Sequence, residues 1–569
     1  MLHPPPVDTL RKVTLMNKNS RIALLVASAC SFAMVLSGCG NTSSDADKKV
    51  ESDGSTNAII SVFGSEPSKP LIPSNTNEVG GGNPLDMLFS KLVRFDEKGR
   101  AINEIAKEIK PNADMTQYKI TIKDGWKFTD GTPVTAKSFT RAWSWGANSS
   151  NAQLSSSFFN PIKGFDELQK QGVDPDAQLS GLKVIDDKTF SVDLNAPSST
   201  FPILVGYTSY APLPEMFYKD TKAFGENPVS VGPYKFESWE HNKAIKLVKN
   251  PDYKGEIKVK NGGLEFRVYS DPASAYADVQ SGNLDVSDGI PTSALKTFMT
   301  DSTVQAKSEP GAAFHFITIP TTIKHFGEDQ EGKLRRQAIS MSFDRKQLVD
   351  KVLGGTGKPA TDFIAPTIPG YSKDLKGSDV LKYNPKKAKE LWEQANKISP
   401  WGEDESFKMA YNADGGHKDV YDALSNSIKN TLGIEAAGTP IPTFSEFNGN
   451  ISKRTFAANN TAFRTGWQPD YPSPENYLKP KFSSAAADGH GSNHGDYKNP
   501  EIDALLEKAA AAKSTDSANK IYQQAEEILF KDLPTLPLYY GNAKGVAAKN
   551  IHGFAFTWKG TPVYWDLTK

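Results

Sequence analysis

The run Gly354-Gly355-Thr356-Gly357-Lys358 has the composition of the end of a phosphate-binding loop, where glycine amides cradle phosphate and a lysine reaches its charge. That chemistry needs a Ser or Thr after the lysine to hold the metal, and Pro359 stands there; the required upstream glycine is also absent. His490 and His494 flank glycines at a spacing that could put two imidazoles on one metal ion, but no third ligand is near, and a polar loop accounts for the pair. No Gly-x-Ser-x-Gly elbow offers a serine nucleophile. Paired carboxylates for sugar hydrolysis carry no information, because a chain with 66 acidic residues always offers pairs. The expectation is therefore a protein that binds rather than transforms, with no catalytic residue, no metal and no cofactor.

One thiol has a chemical context. Cys39 closes Leu36-Ser37-Gly38-Cys39 behind roughly fifteen mostly apolar residues at 22–36 and the basic Lys18 and Arg21, a length that suits a secretory segment and is short for a bilayer span. Ser37 and Gly38 are small enough to let a peptidase reach the bond before Cys39. The pattern resembles the bacterial lipoprotein signal, in which the cysteine is acylated and the chain is cut just ahead of it. It implies a signal peptide at 1–38, lipid attachment at Cys39 and a body on the outer face of the bacterial cytoplasmic membrane. Two or three acyl chains make such an anchor effectively permanent. Residues 1–15, with Pro4-Pro5-Pro6 and Asp8, suit the start of a signal poorly, so Met16 is the better start. The polar stretch after the cysteine, 39–57, has almost nothing to bury and is expected to be a flexible tether.

The elements that must position any site lie beyond it. Roughly 500 residues exceed one hydrophobic core, so two or three lobes are expected. Lys plus Arg equals Asp plus Glu at 66 each, which gives no charge excess for nucleic acid. Cys30 and Cys39 are the only cysteines, so the mature fold has no disulfide and no thiolate metal site. Alternating or apolar runs predict strands at 58–63, 118–122, 190–194 and 284–286, a hairpin at 235–239 and 244–249, and a short helix running into a strand at 86–95. Thr135 is the expected N-cap of a helix whose apolar face carries Phe139, Ala142 and Trp143. Further helices are expected at 274–280, 333–342, 345–353, 385–396, 418–432, 501–513 and 517–529. The mixture is α/β without strict βαβ repetition.

The segment Phe463-Arg464-Thr465-Gly466-Trp467-Gln468-Pro469-Asp470-Tyr471 carries the most information. With Trp126-Lys127-Phe128-Thr129-Asp130-Gly131-Thr132-Pro133, Val231-Gly232-Pro233-Tyr234-Lys235, Asn250-Pro251-Asp252-Tyr253, Phe343-Asp344-Arg345, Tyr497-Lys498-Asn499-Pro500-Glu501-Ile502-Asp503 and Leu533-Pro534-Thr535-Leu536-Pro537-Leu538-Tyr539-Tyr540, it resembles the oligopeptide-binding proteins of ABC importers, extracytoplasmic solute-binding family 5. The blocks fall in the family's order from about residue 58 to the C-terminus. The resemblance implies a two-lobed periplasmic-binding-protein type II-like fold with an additional domain inserted in the first lobe. Lobe I would comprise 58–88, 206–310 and 535–569, the inserted domain 89–205, and the other lobe 311–534. It also implies an oligopeptide ligand, ABC permease and ATPase subunits as partners, a monomer, and no chemistry on the ligand.

An extended peptide is a strand with two charged ends, so a receptor for many sequences should grip the backbone and the ends. By resemblance, the strand before Gly466 and a loop at Asn77 and Val79 sandwich the ligand, and Asp470 holds its α-ammonium; the alternative is that Asp470 caps a turn beside Pro469. Arg464 and His417 match residues that meet a ligand's C-terminal carboxylate, against a surface ion pair and a solvated helix-start histidine. Trp467 lines a side-chain pocket or belongs to the core. Two positions depart from the pattern: Leu353 replaces a lysine used toward ligand C-termini, and Gln468 stands where some relatives have one half of a cystine. The amine grip is thus better supported than the carboxylate grip. The alternative on the same scaffold is an oligosaccharide or another small solute, and Trp467, Trp401 and Tyr477 keep the sugar in view through aromatic stacking. A secreted hydrolase and a peptide holder without a transporter are further alternatives.

Overall fold

The computed structural model describes residues 57–569. The signal at 1–38, Cys39 and all but the last residue of the tether at 39–57 lie outside the described residues.

The apolar run near residue 60 forms the strand Ile59–Gly64, with Ile60 and Val62 buried. It pairs in parallel with Gly263–Val268 and, at Val62, with the short strand Val286–Ser287. The expected hairpin is Tyr234–Glu240 with Ala244–Lys249. A second group of parallel neighbours comprises Ser406–Asn412, Glu435–Ile441 and Thr461–Trp467. Two long strands, Gln305–Thr318 and Thr535–Ala547, run antiparallel from Gln305 opposite Ala547 to Thr318 opposite Thr535 and join both groups into one sheet of 11 strands. Their register slips between Pro310 and Ala313. Proline has no amide to donate to the ladder, and a Cβ at Gly311 would sit 2.6 Å from the carbonyl oxygen of Gly541, so this approach requires glycine.

A separate four-stranded sheet is built from Ala106–Pro111, Gln117–Ile122, Leu182–Asp186 and Thr189–Asp193. Against it packs the helix Ala136–Ala147, which buries Phe139, Ala142 and Trp143 as its spacing predicts. Thr135 is its N-cap, and the Thr135 amide donates to Ser138 Oγ at 3.2 Å. Apolar packing falls mainly into two large cores. One gathers residues between 60 and 286 with Tyr471 and 543–567, and the other gathers residues between 312 and 540 with Trp558. No described helix is long and apolar enough to cross a membrane.

Most expected helices appear, among them Pro385–Ile398, Lys418–Leu432, Pro500–Ala510 and Thr515–Asp532. Two differ. The helix expected to begin near 86 begins at Val79 and ends at Leu88. Gly80-Gly81-Gly82 and Pro84 disguise it, and the Glu78 carboxylate supplies the start by accepting from the amides of Gly80 at 2.6 Å and Gly81 at 3.0 Å. The helix expected over 345–353 is one α turn, Arg345–Gln347, followed by a wider turn at Leu348–Val352.

Several of the sequence blocks are structural joints. Arg345 is buried and donates to the carbonyls of Pro537 at 2.7 Å, Ser340 at 2.9 Å and Leu381 at 2.6 Å. Asn250 Nδ2 donates to Gly232 O at 2.9 Å, and the Gly232 amide to Leu88 O at 2.6 Å. Asn499 caps its helix through the Glu501 amide at 2.9 Å.

Candidate ligand-binding site

The strand Thr461–Trp467 has two differently treated edges. One pairs along Phe463–Trp467 with Gln305–Thr318, antiparallel, placing Gly466 opposite His315 and Trp467 opposite Phe314. The other pairs with Ser406–Asn412 only at Thr461, Ala462 and Phe463. From Arg464 to Trp467 that second edge has no strand partner among the described residues. An unpaired edge is a template for another strand.

Just past this edge lies Asp470. Its backbone amide donates to Asn476 Oδ1 at 2.8 Å, and Asn476 Nδ2 donates to Asp470 Oδ2 at 3.2 Å. Among the described residues no cation pairs with Asp470; the nearby Lys559 amine is 3.8 Å from Asp86 instead. Burial raises the Asp470 pKa above its ordinary value, against the Asn476 hydrogen bond and the Lys559 charge, which lower it. Asp86 shows the contrast. Although burial opposes it, Lys91 at 3.0 Å, Lys559 and the Thr208 hydroxyl at 2.7 Å bring its pKa down to about 2. Asp86 is satisfied and Asp470 is not.

Asp470 faces two cavities, one of about 490 Å³ that includes Asp86, Tyr207 and Trp558, and one of about 680 Å³ that includes Asn77, Tyr207 and Trp467. Val79, 62% exposed at the first position of its helix, shares a cavity of about 180 Å³ with Gln468. So Asn77, Trp467 and Asp470 are brought together directly, and Val79 and Gln468 beside them.

Arg464 and His417 form a separate cluster. Opposed residues of an antiparallel pair share a face, so Arg464 and Gly466 lie on the face of His315 and Ile317. His417, at the start of Lys418–Leu432, joins Arg464, His315 and Tyr539 around a small cavity of about 10 Å³. Arg464 forms no ion pair with a described residue, and its buried Nε has no hydrogen-bond partner. Burial and then the Arg464 charge press the His417 pKa down to about 4; burial, Arg464 and His417 press that of His315 to about 3. His417 is half-buried beside Arg464 at the start of its helix. No local pattern points to His315, because its strand shows no clean alternation. Asn476 and Lys559 were likewise missed.

The decoy motifs and the aromatic platforms can be placed as well. Lys358 lies in a strand, Gly357–Pro359, paired with Thr535–Ala547, and not at the start of a helix as a phosphate loop requires. Tyr477 is 1% exposed and its hydroxyl donates to Ala312 O at 2.6 Å, while Trp401 packs on Trp392 and the guanidinium of Arg335. Neither lines the cavities beside Asp470. No group of three or more metal-ligating side chains occurs among the described residues.

The model of the family "Bacterial extracellular solute-binding proteins, family 5 Middle" matches residues 100–489. The chain belongs to this family. The family comprises solute-binding proteins rather than enzymes. Among relatives of this family 5 protein, the oligopeptide-binding protein OppA of Bacillus subtilis is 28% identical over 539 residues, covering 92% of this chain and 94% of the relative. The dipeptide-binding protein DppE of the same organism is 26% identical over 511 residues, covering 85% and 89%. Solved structures share the fold. CtaP of Listeria monocytogenes superposes with a TM-score of 0.75 at 18% identity, covering 90% of this chain and 99% of that one. AppA of Bacillus subtilis, in complex with a nonapeptide, superposes with a TM-score of 0.68 at 22% identity, also covering 90% and 99%. The fold is thus the mixed α/β type II periplasmic-binding-protein architecture.

Proposed function

We propose that this protein is an extracytoplasmic substrate-binding lipoprotein that captures oligopeptides and delivers them to an ABC transporter permease. The observation that carries the reading is the unpaired edge of Arg464–Trp467 with an uncompensated carboxylate just beyond one end and an uncompensated guanidinium at the other. A ligand strand pairing there takes its affinity from the main chain and leaves side chains to the cavities. Its α-ammonium meets Asp470 and its carboxylate meets Arg464 and His417, so it runs antiparallel to the protein strand. Four residues of strand span roughly 13 Å, which suits a grip on a few central residues. The names of relatives that bind oligopeptides and dipeptides support the ligand class.

The concentration of apolar packing in two large cores supports a division into lobes, with Leu536–Tyr540 packing across it into the second core. Residues 58–88, 206–310 and 535–569 form lobe I, 89–205 the inserted domain and 311–534 the second lobe. The long strands Gln305–Thr318 and Thr535–Ala547 connect the lobes, and closure around them shifts an existing equilibrium rather than creating a new state. Cys39 carries the lipid that keeps the monomer beside its permease, on the outer face of the cytoplasmic membrane. Micromolar capture needs about −8 kcal/mol net of ordering costs.

Mass spectrometry of ligand carried through purification of the unanchored body tests the reading. Peptides with free amines are the expected finding. A glycan, or a hydrolysed product accumulating from an added peptide, would overturn it.

A further inference from the structure

Lys481 is a buried amine with nothing to hold it. The residue is 7% exposed, on the helix Glu475–Phe482. Its Nζ lies 4.2 Å from the centre of the Trp467 ring and 5.9 Å from that of Phe316. No hydrogen bond or ion pair to a described residue engages it. A ring face offsets part of the lost hydration of an ammonium, but far less than a carboxylate does. Burial drives the Lys481 pKa down to about 7. The indole under it has the matching fault: Trp467 Nε1 is buried with no acceptor. Buried donors nearly always find a partner; this one lacks it, and the amine beside it has none among the described residues either. His494, which feels the Lys481 charge, is a base as well and still reaches solvent; burial and then that charge hold its pKa down to about 4.

The position of the pair relative to the open edge gives it a use. Trp467 and Thr465 lie on the face of Phe314 and Phe316, opposite to the face of Arg464 and His417. A strand added along Arg464–Trp467 sends alternate side chains to the two faces. Those on one face approach Arg464 and His417. Those on the other approach Trp467, which lines the 680 Å³ cavity and has the Lys481 amine 4.2 Å from its ring centre.

We infer that Lys481 and the Trp467 indole N–H form a side-chain subsite for a carboxylate, so that the receptor prefers peptides with Asp or Glu at the ligand position facing Trp467. The subsite rests on the strand-pairing mode proposed above. The ligand carboxylate completes the ion pair that the empty protein lacks and accepts from the indole. Lys481 is a specificity-determining residue here, separate from the groups that hold the ligand's ends.

Calorimetry with free-amine alanine tetrapeptides carrying Glu or Gln at each successive position tests this on the unanchored protein. At one position, or at two positions two apart, Glu should bind roughly tenfold or more tightly than Gln. Lys481→Met, which suits the apolar surroundings, should bring that ratio to about one while the binding of tetra-alanine changes less than about threefold; Lys481→Arg should retain the preference. If the peptides bind but Glu and Gln are equivalent everywhere in the wild type, the subsite is wrong and the peptide reading stands. A preference that survives in Lys481→Met also overturns it. Should Lys481→Met fail to fold, the wild-type ratio and Lys481→Arg decide. If no peptide binds the wild type, the underlying reading falls, and the subsite with it.

Discussion

Asn476 holds Asp470 by two hydrogen bonds of opposite sense, accepting from its backbone amide at 2.8 Å and donating to its carboxylate at 3.2 Å. One side chain thereby fixes both the path of the chain after Pro469 and the direction of the carboxylate. Asp470→Ala should weaken peptides with free amines at least about thirtyfold, as expected for loss of a partner in an enclosed charge pair, and leave N-acetylated peptides nearly unchanged. Asn476→Ala should produce a smaller loss with the same selectivity. Calorimetry on the two ligand forms reads this, and equal losses for both would remove Asp470 from the amine site.

The raised pKa of Asp470 sets a pH dependence. A bound ammonium stabilises the carboxylate, so its pKa is lower in the complex than in the free protein. Binding therefore weakens as pH falls from neutrality through the free-protein value, which lies above 3.8, because a proton must first be expelled. Affinity measured from pH 7 down to 4 should decline for free-amine peptides, and Asp470→Asn should flatten the profile.

Arg464 with its unpartnered Nε should matter only to ligands that end in a carboxylate. Arg464→Met is expected to cost such peptides about 1.5–3 kcal/mol, the range for hydrogen bonds to charged groups, and to cost C-amidated peptides little. If amidated peptides suffer equally, the guanidinium supports the fold and not the ligand.

Pairing along the free edge of Arg464–Trp467 predicts a periodic sensitivity in the ligand backbone. N-methylation should weaken binding strongly at alternate amides, those facing the protein strand, and weakly between them. Uniform tolerance in a competition assay would rule out strand addition.

Asp362 and Glu526 are both fully buried, and no cation partner occurs among the described residues. Burial raises both pKa values, that of Glu526 the more strongly. The folded state then binds more protons than the unfolded one, so stability is fullest below the unfolded carboxylate value of about 4.5 and is lost as pH rises toward the folded value. Glu526→Gln should reduce this decline, giving a Tm at pH 8 at or above that of the wild type. A lower Tm for the variant at pH 8 than at pH 5 relative to wild type would contradict the assignment.

Many of the local elements, and the family, were legible in the chain alone. Strands with short-range alternation such as Gln117–Ile122 and helices with clear N-caps such as Pro385–Ile398 are written in nearest-neighbour chemistry, and so are the turns and caps of the family blocks. Asp470, Trp467, Arg464 and His417 were legible only because their segments resemble a known family. Hidden were features that exist through pairing of distant residues. The helix at Val79–Leu88 depends on a Glu78 carboxylate folding back onto glycine amides, which composition does not announce. The strand Gln305–Thr318 is buried by partners more than a hundred residues away, so its own pattern carries little period. The free edge at Arg464–Trp467 arises only where Ser406–Asn412 stops pairing, and the charge states of Asp470, His417 and Lys481 arise only from which partners the fold brings near and which it withholds. Local propensity is carried by adjacent residues. Desolvation and unsatisfied hydrogen bonds belong to the folded surroundings, and only the tertiary structure decides them.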